Sequence, residues 1–341
     1  MAALMARCAK SHHAIRTALG AIVVAVGFAQ AFAQAPEDAP IQPYPSRPVR
    51  ILTGNQPGTV SDITARLIGA RLEQLWGTPV VIENRPGAGG AIAAEAVAKS
   101  PADGYTLLVA GQSNLVLGQA IGRDLRYDPQ RDLAPIGRIV KVPFVLAVNS
   151  SVPINSVPKL IEYAKARPKQ LTYATNGPGT LSQLSVELLT AATGTAMLAV
   201  PYKGLGSAMT DVVAGRVDMI LTDYVGVAPQ VKSGALRLLG VADAQRLSAA
   251  PEVPTIAEQG VTGYAVSGWY GLLAPAGTPP EILARLSSAL DEVRRMAEVR
   301  QRLEELGCEP IEDSPAQFRA LIAAELKKYS EITRRAGIKA D

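Results

Sequence analysis

The side chains that most often serve as catalytic base, nucleophile or zinc ligand are nearly absent from this 341-residue sequence. Histidine occurs only at His12 and His13, and cysteine only at Cys8 and Cys308. Three of these four stand in an N-terminal segment, residues 1–33, that reads as a secretory signal. Arg7, Lys10 and Arg16 make its positive start, an apolar run extends from Ala18 to Phe32, and Ala31-Phe32-Ala33 fits a small-x-small cleavage site. Gln34 is then the expected mature start. An uncleaved anchor is the alternative, but the run falls short of the roughly 20 apolar residues that span a bilayer. Once the signal is removed, no histidine remains and Cys308 stands alone. Ser-His-Asp and Cys-His catalysis, His/Cys zinc sites and an internal disulfide are thereby excluded. Carboxylate-only acid/base chemistry or a Ser-Lys pair stays open. A binder is expected rather than an enzyme, with no cofactor and no metal.

Two Gly/Pro loops carry the spacing that suits binding. Gly54-Asn55-Gln56-Pro57-Gly58-Thr59-Val60-Ser61-Asp62 lies between a strand pattern and a helix pattern, and so does Thr175-Asn176-Gly177-Pro178-Gly179-Thr180-Leu181-Ser182. Such loops present unpaired N–H groups at a helix N-terminus, where the helix dipole favours an anion. Ser61, Thr180 and Ser182 add hydroxyls. Plain capping by Ser61, Asp62 or Thr180 is the alternative for each loop. Desolvating a carboxylate costs several kcal/mol, and one charge-assisted hydrogen bond returns about 1.5–3 kcal/mol. One loop is therefore marginal, and two closing on one ligand suffice. Other motifs are weaker. Arg85-Pro86-Gly87-Ala88-Gly89-Gly90 has Ile92 where a dinucleotide fingerprint needs glycine, and it reads as a tight turn. Asp124, Asp128 and Asp132 read as a solvated face rather than a calcium site.

The elements around these loops follow from periodicity. Strand runs at Val49–Leu52, Val80–Ile82 and Thr106–Ala110 alternate with helix patterns on Ile63, Leu67, Ala70 and on Ala91–Lys99. The alternation restarts after Pro143 with a strand over Phe144–Val148 and a helix capped by Ser156. Strands are predicted at Leu171–Ala174, Met197–Val200, Asp218–Thr222, Leu236–Val241 and Gly271–Ala274. Helices are predicted at Leu181–Ala192, Gly206–Ala214, Gly226–Lys232, Ala297–Leu306 and Pro315–Ala336. Strand–helix alternation implies an α/β fold of two units, each a mainly parallel sheet flanked by helices. The second unit is expected between two crossovers near 143–148 and 265–270.

Composition agrees with a folded, exported binder. A hydrophobic share of 48% with 19% charged excludes a disordered chain. Of 34 basic residues three leave with the signal, so against 30 acidic residues the mature net charge is +1. With 5% aromatic residues, that balance argues against a nucleic-acid partner. Residues 34–46, with four prolines, read as a tether. No later segment is apolar and long enough to span a membrane.

At this level of detail the sequence resembles the solute-binding receptors of tripartite tricarboxylate transporters, the Bug receptors. The resemblance runs from Tyr44 to Gly337. It rests on Tyr44-Pro45-Ser46-Arg47-Pro48-Val49-Arg50, Glu83-Asn84-Arg85-Pro86-Gly87-Ala88-Gly89-Gly90, Lys99-Ser100-Pro101-Ala102-Asp103-Gly104-Tyr105 and Val200-Pro201-Tyr202-Lys203-Gly204. Trp269-Tyr270-Gly271-Leu272-Leu273-Ala274-Pro275 completes it. It implies a two-lobed, Venus-flytrap periplasmic protein, expected as a monomer. Such a protein pinches a small organic carboxylate between its lobes and delivers it to membrane permease subunits. Lobe 1 would comprise residues 47–143 and 270–341, and lobe 2 residues 144–269. Both loops fall where the family places carboxylate contacts, which implicates Pro57, Gly58, Thr59, Ser61, Asp62, Gly177, Gly179 and Thr180. The same correspondence implicates Tyr202, Lys203 and Gly204 in lobe 2 and Ser113 and Asn114 on the wall of lobe 1. Lys203 is either an attraction for the anion or an ordinary surface lysine. Asp223 either accepts a bond from a ligand hydroxyl or amine or caps the next helix. Thr59 and Val60 stand where the family has glycines, and Gln183 where it often has histidine. Val60 suggests a more apolar pocket and an aromatic or longer-chain acid. A periplasmic sensor that presents its closed form to a signalling kinase is the alternative to a transport receptor.

Overall fold

The computed structural model describes residues 44–340. The expected signal (1–33) and residues 34–43 of the expected tether lie outside the described residues.

β1 (Val49–Thr53) leads into α1 (Val60–Trp76), whose Ile68 and Leu72 are wholly buried. Gly77 ends α1 in the left-handed region, φ +64°, with its N–H bonded to the Glu73 carbonyl. β2 (Val80–Asn84), α2 (Ala91–Ala98) and β3 (Thr106–Gly111) follow. β3 is buried along its whole length, as a central strand covered on both faces must be. One π-helical turn, Ser113–Leu117, continues into Gly118–Ala120.

β4 (Leu133–Asn149) is 17 residues long. The sequence pattern shows only its second half, because Pro135 and Gly137 interrupt the apolar run before it. Register shifts between Pro135 and Gly137 and between Arg138 and Val140 absorb these residues into the pairing. α3 (Val157–Ala166) begins as the pattern predicts, with the Ser156 side chain accepting from the Lys159 N–H. β5 (Thr172–Thr175), α4 (Leu181–Thr193), β6 (Leu198–Pro201), α5 (Leu205–Val213), β7 (Met219–Asp223), α6 (Tyr224–Lys232) and β8 (Leu236–Val241) continue the alternation. β9 (Ser267–Pro275) brings the chain back, and α7 (Pro280–Arg295), α8 (Ala297–Glu305), the short β10 (Glu309–Pro310) and α9 (Pro315–Ala336) follow it. A full capping box between Ser314 and Gln317 opens α9.

β4 belongs to two sheets. Its residues Leu133–Pro143 pair with β9, and β3, β1 and β2 extend that sheet outward. Its residues Phe144–Val148 pair with β7, and β5 and β6 extend the second sheet, with β8 on the other side of β4. The handover falls at Pro143, which has no N–H to give a ladder. The α/β class holds, but each sheet is mixed rather than mainly parallel. Only β2–β1–β3 and β6–β5–β7 run parallel. β4 carries the chain out of the first sheet and β9 carries it back, so these neighbours must run antiparallel.

Side chains along β4 alternate between two apolar layers, as the strand period of two requires. Phe144, Leu146 and Val148 join a core that contains Leu184, Tyr264 and Trp269. Val145 and Ala147 face the other way, toward Ile220 and Val241.

Candidate functional site

The two Gly/Pro loops are built alike. Thr59 precedes α1 and Thr180 precedes α4, both extended, at φ −77°, ψ 162° and φ −77°, ψ 158°. Neither side chain caps its helix. Instead, each hydroxyl donates to the carbonyl three residues earlier, Thr59 to Gln56 and Thr180 to Gly177, both at 2.7 Å. The preceding glycine N–H is taken from within the helix. Gly58 donates to the Asp62 carboxylate at 2.9 Å and Gly179 to Gln183 Oε1 at 2.8 Å. The capping reading is thus met by Asp62 and Gln183, not by Ser61 or Thr180.

This arrangement spends the side chains on the loops themselves and leaves the next N–H groups free. Those of Val60, Ser61 and Asp62, and of Leu181, Ser182 and Gln183, have no hydrogen-bond partner among the described residues. Val60, Leu181 and Ser182 line one cleft of about 220 Å³ between the two sheets. Its floor is the two crossovers, with Val142 and Phe144 on β4 and Gly268, Trp269 and Tyr270 on β9. Gln112, Ser113 and Asn114 close it from the end of β3, and Asp223 from the end of β7. No arginine, lysine or histidine lines it. An anion there is met by backbone N–H groups at two helix N-termini.

The structure brings Ser113, Asn114, Thr180 and Asp223 together in this cleft. Pro57, Gly58 and Thr59 stay on the exposed outer turn of their loop. Ser61 is fully buried behind the same loop, where its hydroxyl accepts from Asn55 at 2.7 Å. Asp62 is buried beside it and accepts from Asn84 Nδ2 at 2.8 Å as well as from Gly58. Burial pushes the Asp62 carboxyl up, but Arg66, the Gly58 N–H and Asn84 together hold it below the usual range. Gly177 and Gly179 shape the second loop from outside the cleft. Gly179 sits at φ +69°, with Ile121 only 2.6 Å from where a Cβ would stand. Tyr202, Lys203 and Gly204 form a neighbouring turn that does not line the cleft. The Tyr202 hydroxyl is engaged with Asp211 at 2.7 Å, Lys203 is exposed, and Gly204 precedes α5.

Asp223 caps the next helix and also stands in the cleft wall. Its Oδ1 accepts from the Gly226 N–H at 2.8 Å, capping α6, while the carboxyl sits in the cleft wall. Burial pushes its pKa up, against the hydrogen bonds from Gly226 and Thr222. Beside it the Tyr270 hydroxyl is pushed up to about 12, first by burial and then by the charge of Asp223. Asn114 is held by two loops: it accepts from the Gly111 N–H and donates to the Gly89 carbonyl, both at 3.2 Å. Gly90 touches it so closely that any Cβ there would fall 1.9 Å from Asn114 Nδ2. That contact accounts for Gly90, and positive φ at Gly87 and Gly89 accounts for the other two glycines of the turn.

Residue-by-residue reading missed Gln112, Val142, Phe144 and Trp269 as cleft residues. Their signal was topological. Strands that carry the chain between two units must pass beneath the space between them, so the side chains at both crossovers were bound to meet there. A larger groove of about 480 Å³ lies between α4 and α9 and includes Glu187, Leu188 and Lys327. It shares no residue with the cleft, and neither loop reaches it. The cleft, not the larger groove, is where residues from both loops meet. Among the described residues no group of three or more His, Cys, Asp or Glu side chains is placed to hold a metal ion. Among them, too, no helix is long and apolar enough to cross a membrane.

Two sheets sharing one through-strand, with a single cleft between them faced by two helix N-termini, define a two-lobed solute-binding protein. The chain belongs to the family of tripartite tricarboxylate transporter receptors, whose family model matches residues 64–338. The resemblance read from the sequence strings is thereby borne out. Protein BugT of Bordetella pertussis is 35% identical over 318 residues, covering 93% of this chain and 97% of its own. Among solved structures, R. palustris Rpa4515 with adipate superposes with a TM-score of 0.77 at 36% identity, over 87% of this chain and 99% of its own. MatC (Rpa3494) from Rhodopseudomonas palustris with bound malate gives 0.72 at 30% identity, over 85% of this chain and 99% of its own. The periplasmic binding protein BugD gives 0.73 at 29% identity.

Proposed function

We propose that this protein is an exported, periplasmic receptor, not an enzyme. It captures a small organic carboxylate between its lobes and hands it to the membrane permease of a tripartite tricarboxylate-type transporter. Lobe 1 is formed by residues 47–143 and 270–341, lobe 2 by residues 144–269, and the chain acts as a monomer.

The observation that carries this reading is the pair of matched loops that leave helix N–H groups unpartnered and reach one cleft lined by no Lys, Arg or His side chain. A carboxylate there is bound by Val60 from one lobe and by Leu181 and Ser182 from the other. Neither lobe alone supplies enough donors to offset desolvation, so binding favours the closed arrangement. The space is small for a ligand pocket, which suits a short acid. Apolar walls from Phe144, Trp269, Val142 and Val60 pack its carbon chain. Asp223 and Ser113 meet its far end, where a hydroxyl donates to the Asp223 carboxylate. The adipate and malate of the two solved relatives belong to this class of ligand.

Isothermal titration calorimetry of the mature chain against adipate, malate, succinate and benzoate tests the reading. Saturable one-to-one binding of at least one acid is the expected result. Absence of heat from every acid, at protein concentrations that would detect millimolar affinity, would overturn it.

A further inference from the structure

Behind the cleft, α9 grips the return crossover through a carboxylate that no ligand can touch directly. Glu325 is half-buried on α9. Its Oε2 accepts from the Trp269 indole N–H at 2.8 Å and its Oε1 from Gln112 Nε2 at 3.2 Å. Gln112 Nε2 also donates to the Ser267 carbonyl at 2.8 Å. Both amide hydrogens of Gln112 are therefore spent on the protein side, and its Oε1 is the atom left for the cleft. One turn along the helix, Lys328 Nζ donates to the Ala265 carbonyl at 2.6 Å. Residues 265–269, which carry the chain back from the second sheet, are thus tied down at three points. Trp269 is only 2% exposed and stands edge-on to Phe318, ring centroids 5.2 Å apart. Glu325 supplies the ring N–H with the acceptor that this apolar packing lacks.

We propose that Glu325 is a positioning residue of the binding cleft. Its carboxylate sets the tilt of Trp269 and the polarity of Gln112, which line the cleft from the return crossover and from the end of β3. The inference rests on the cleft being the ligand site, and it adds a determinant outside that site. Glutamate is required because both donors need an acceptor. A glutamine at 325 offers one acceptor oxygen and an N–H₂ group, so it satisfies only one of Trp269 and Gln112. The Gln112 amide then keeps only its bond to the Ser267 carbonyl, and the Oε1 it turns to the cleft loses its fixed position.

The test uses the mature chain carrying Trp76→Phe, so that Trp269 gives the one indole N–H resonance in an ¹⁵N-labelled sample. Without ligand, that resonance is expected to be protected from solvent exchange and to shift in both Glu325→Gln and Glu325→Ala. Adipate and malate affinities are expected to fall about tenfold in Glu325→Ala, the size of one lost charge-assisted bond. Trp269→Phe combined with Glu325→Ala should lose no more affinity than Trp269→Phe plus the small share carried by Gln112. An indole resonance unchanged in position and exchange in both Glu325 variants would overturn the proposal, and so would fully additive losses. If neither acid binds the parent chain, the affinities are read with whichever acid of the panel does; the capture reading fails only if none binds, and the ligand-free indole resonance still decides the role of Glu325. The isosteric glutamine variant keeps that decision open should the alanine variant fail to fold.

Discussion

Thr59 and Thr180 occupy the same place in two halves of the molecule. Each is the extended residue before a helix, and each returns its hydroxyl at 2.7 Å to a carbonyl three positions back. The equivalence is not complete. Each also contacts the hydroxyl two residues on, Ser61 at 3.2 Å and Ser182 at 3.0 Å, but Thr59 lies on the exposed outer turn whereas Thr180 lines the cleft. Thr180→Val should therefore weaken carboxylate binding by about 1–3 kcal/mol. Thr59→Val should cost well under half as much. Calorimetry with the tightest-binding acid measures both, and equal losses would show that the loops contribute alike.

The glycines before these threonines also separate. Gly58, at φ +82°, has open space where a Cβ would stand, and Gly179, at φ +69°, has the Ile121 side chain there. Gly58→Ala should cost about 1 kcal/mol of stability from backbone strain alone. Gly179→Ala should cost about 2–4 kcal/mol through strain and overpacking together. Denaturant unfolding distinguishes them, and the order of the two values is the point at risk.

Asp223 should make the protein pay in stability for a buried carboxylate. Its pKa is raised by burial, so ionising it costs more in the folded chain than in the unfolded one. The associated stability is fully present below the ordinary carboxylate pKa, near 4, and is lost as pH rises through the raised folded value. Asp223→Asn keeps an oxygen to cap α6 and removes the charge. Its melting temperature should exceed that of the parent at pH 7.5, and the difference should vanish near pH 3.5. The same variant should bind a hydroxy acid less tightly relative to its unsubstituted analogue. A melting difference independent of pH would contradict this assignment.

The support under the first sheet is ionic. Asp313, with 4% of its side chain exposed, accepts from Arg138 Nε at 2.6 Å and from the Arg138 backbone N–H at 2.9 Å. Arg294, 2% exposed, lies 3.7 Å from the same carboxylate. Removing the acid leaves the part-buried Arg138 guanidinium without its carboxylate, while Arg294 keeps Asp291 and the Arg138 carbonyl. Asp313→Ala should cost about 3–5 kcal/mol in urea unfolding. A loss under 1 kcal/mol would mean that Arg138 relaxes to solvent.

The pattern of residues carried much of this fold and part of the site. Runs such as Leu236–Val241 and Pro315–Ala336 have strand and helix periods so regular that their bounds match the structure. The first half of β4 did not, because Pro135 and Gly137 look like a break until bulges in the β9 pairing accommodate them. Parallel order was overestimated for a related reason. Strand–helix alternation reads as parallel, and only the route of β4 and β9 between two sheets makes them antiparallel. For the site, loop spacing marked both loops and the family resemblance pointed to Asp223, whereas Pro57 and Lys203, implicated by the same resemblance, lie on exposed turns outside the cleft lining. Which atoms of a loop face inward depends on how Asp62 and Gln183 fold it back on itself. Gln112, Phe144 and Trp269 come together only when the crossovers are laid side by side.

The most direct test is a crystal structure of the mature chain with whichever acid of the panel binds most tightly. The account predicts one carboxylate group between α1 and α4, its oxygens within hydrogen-bond distance of the Val60, Leu181 and Ser182 N–H groups. A ligand seated in the groove between α4 and α9, or one whose carboxylate is held by a lysine or arginine, would contradict it.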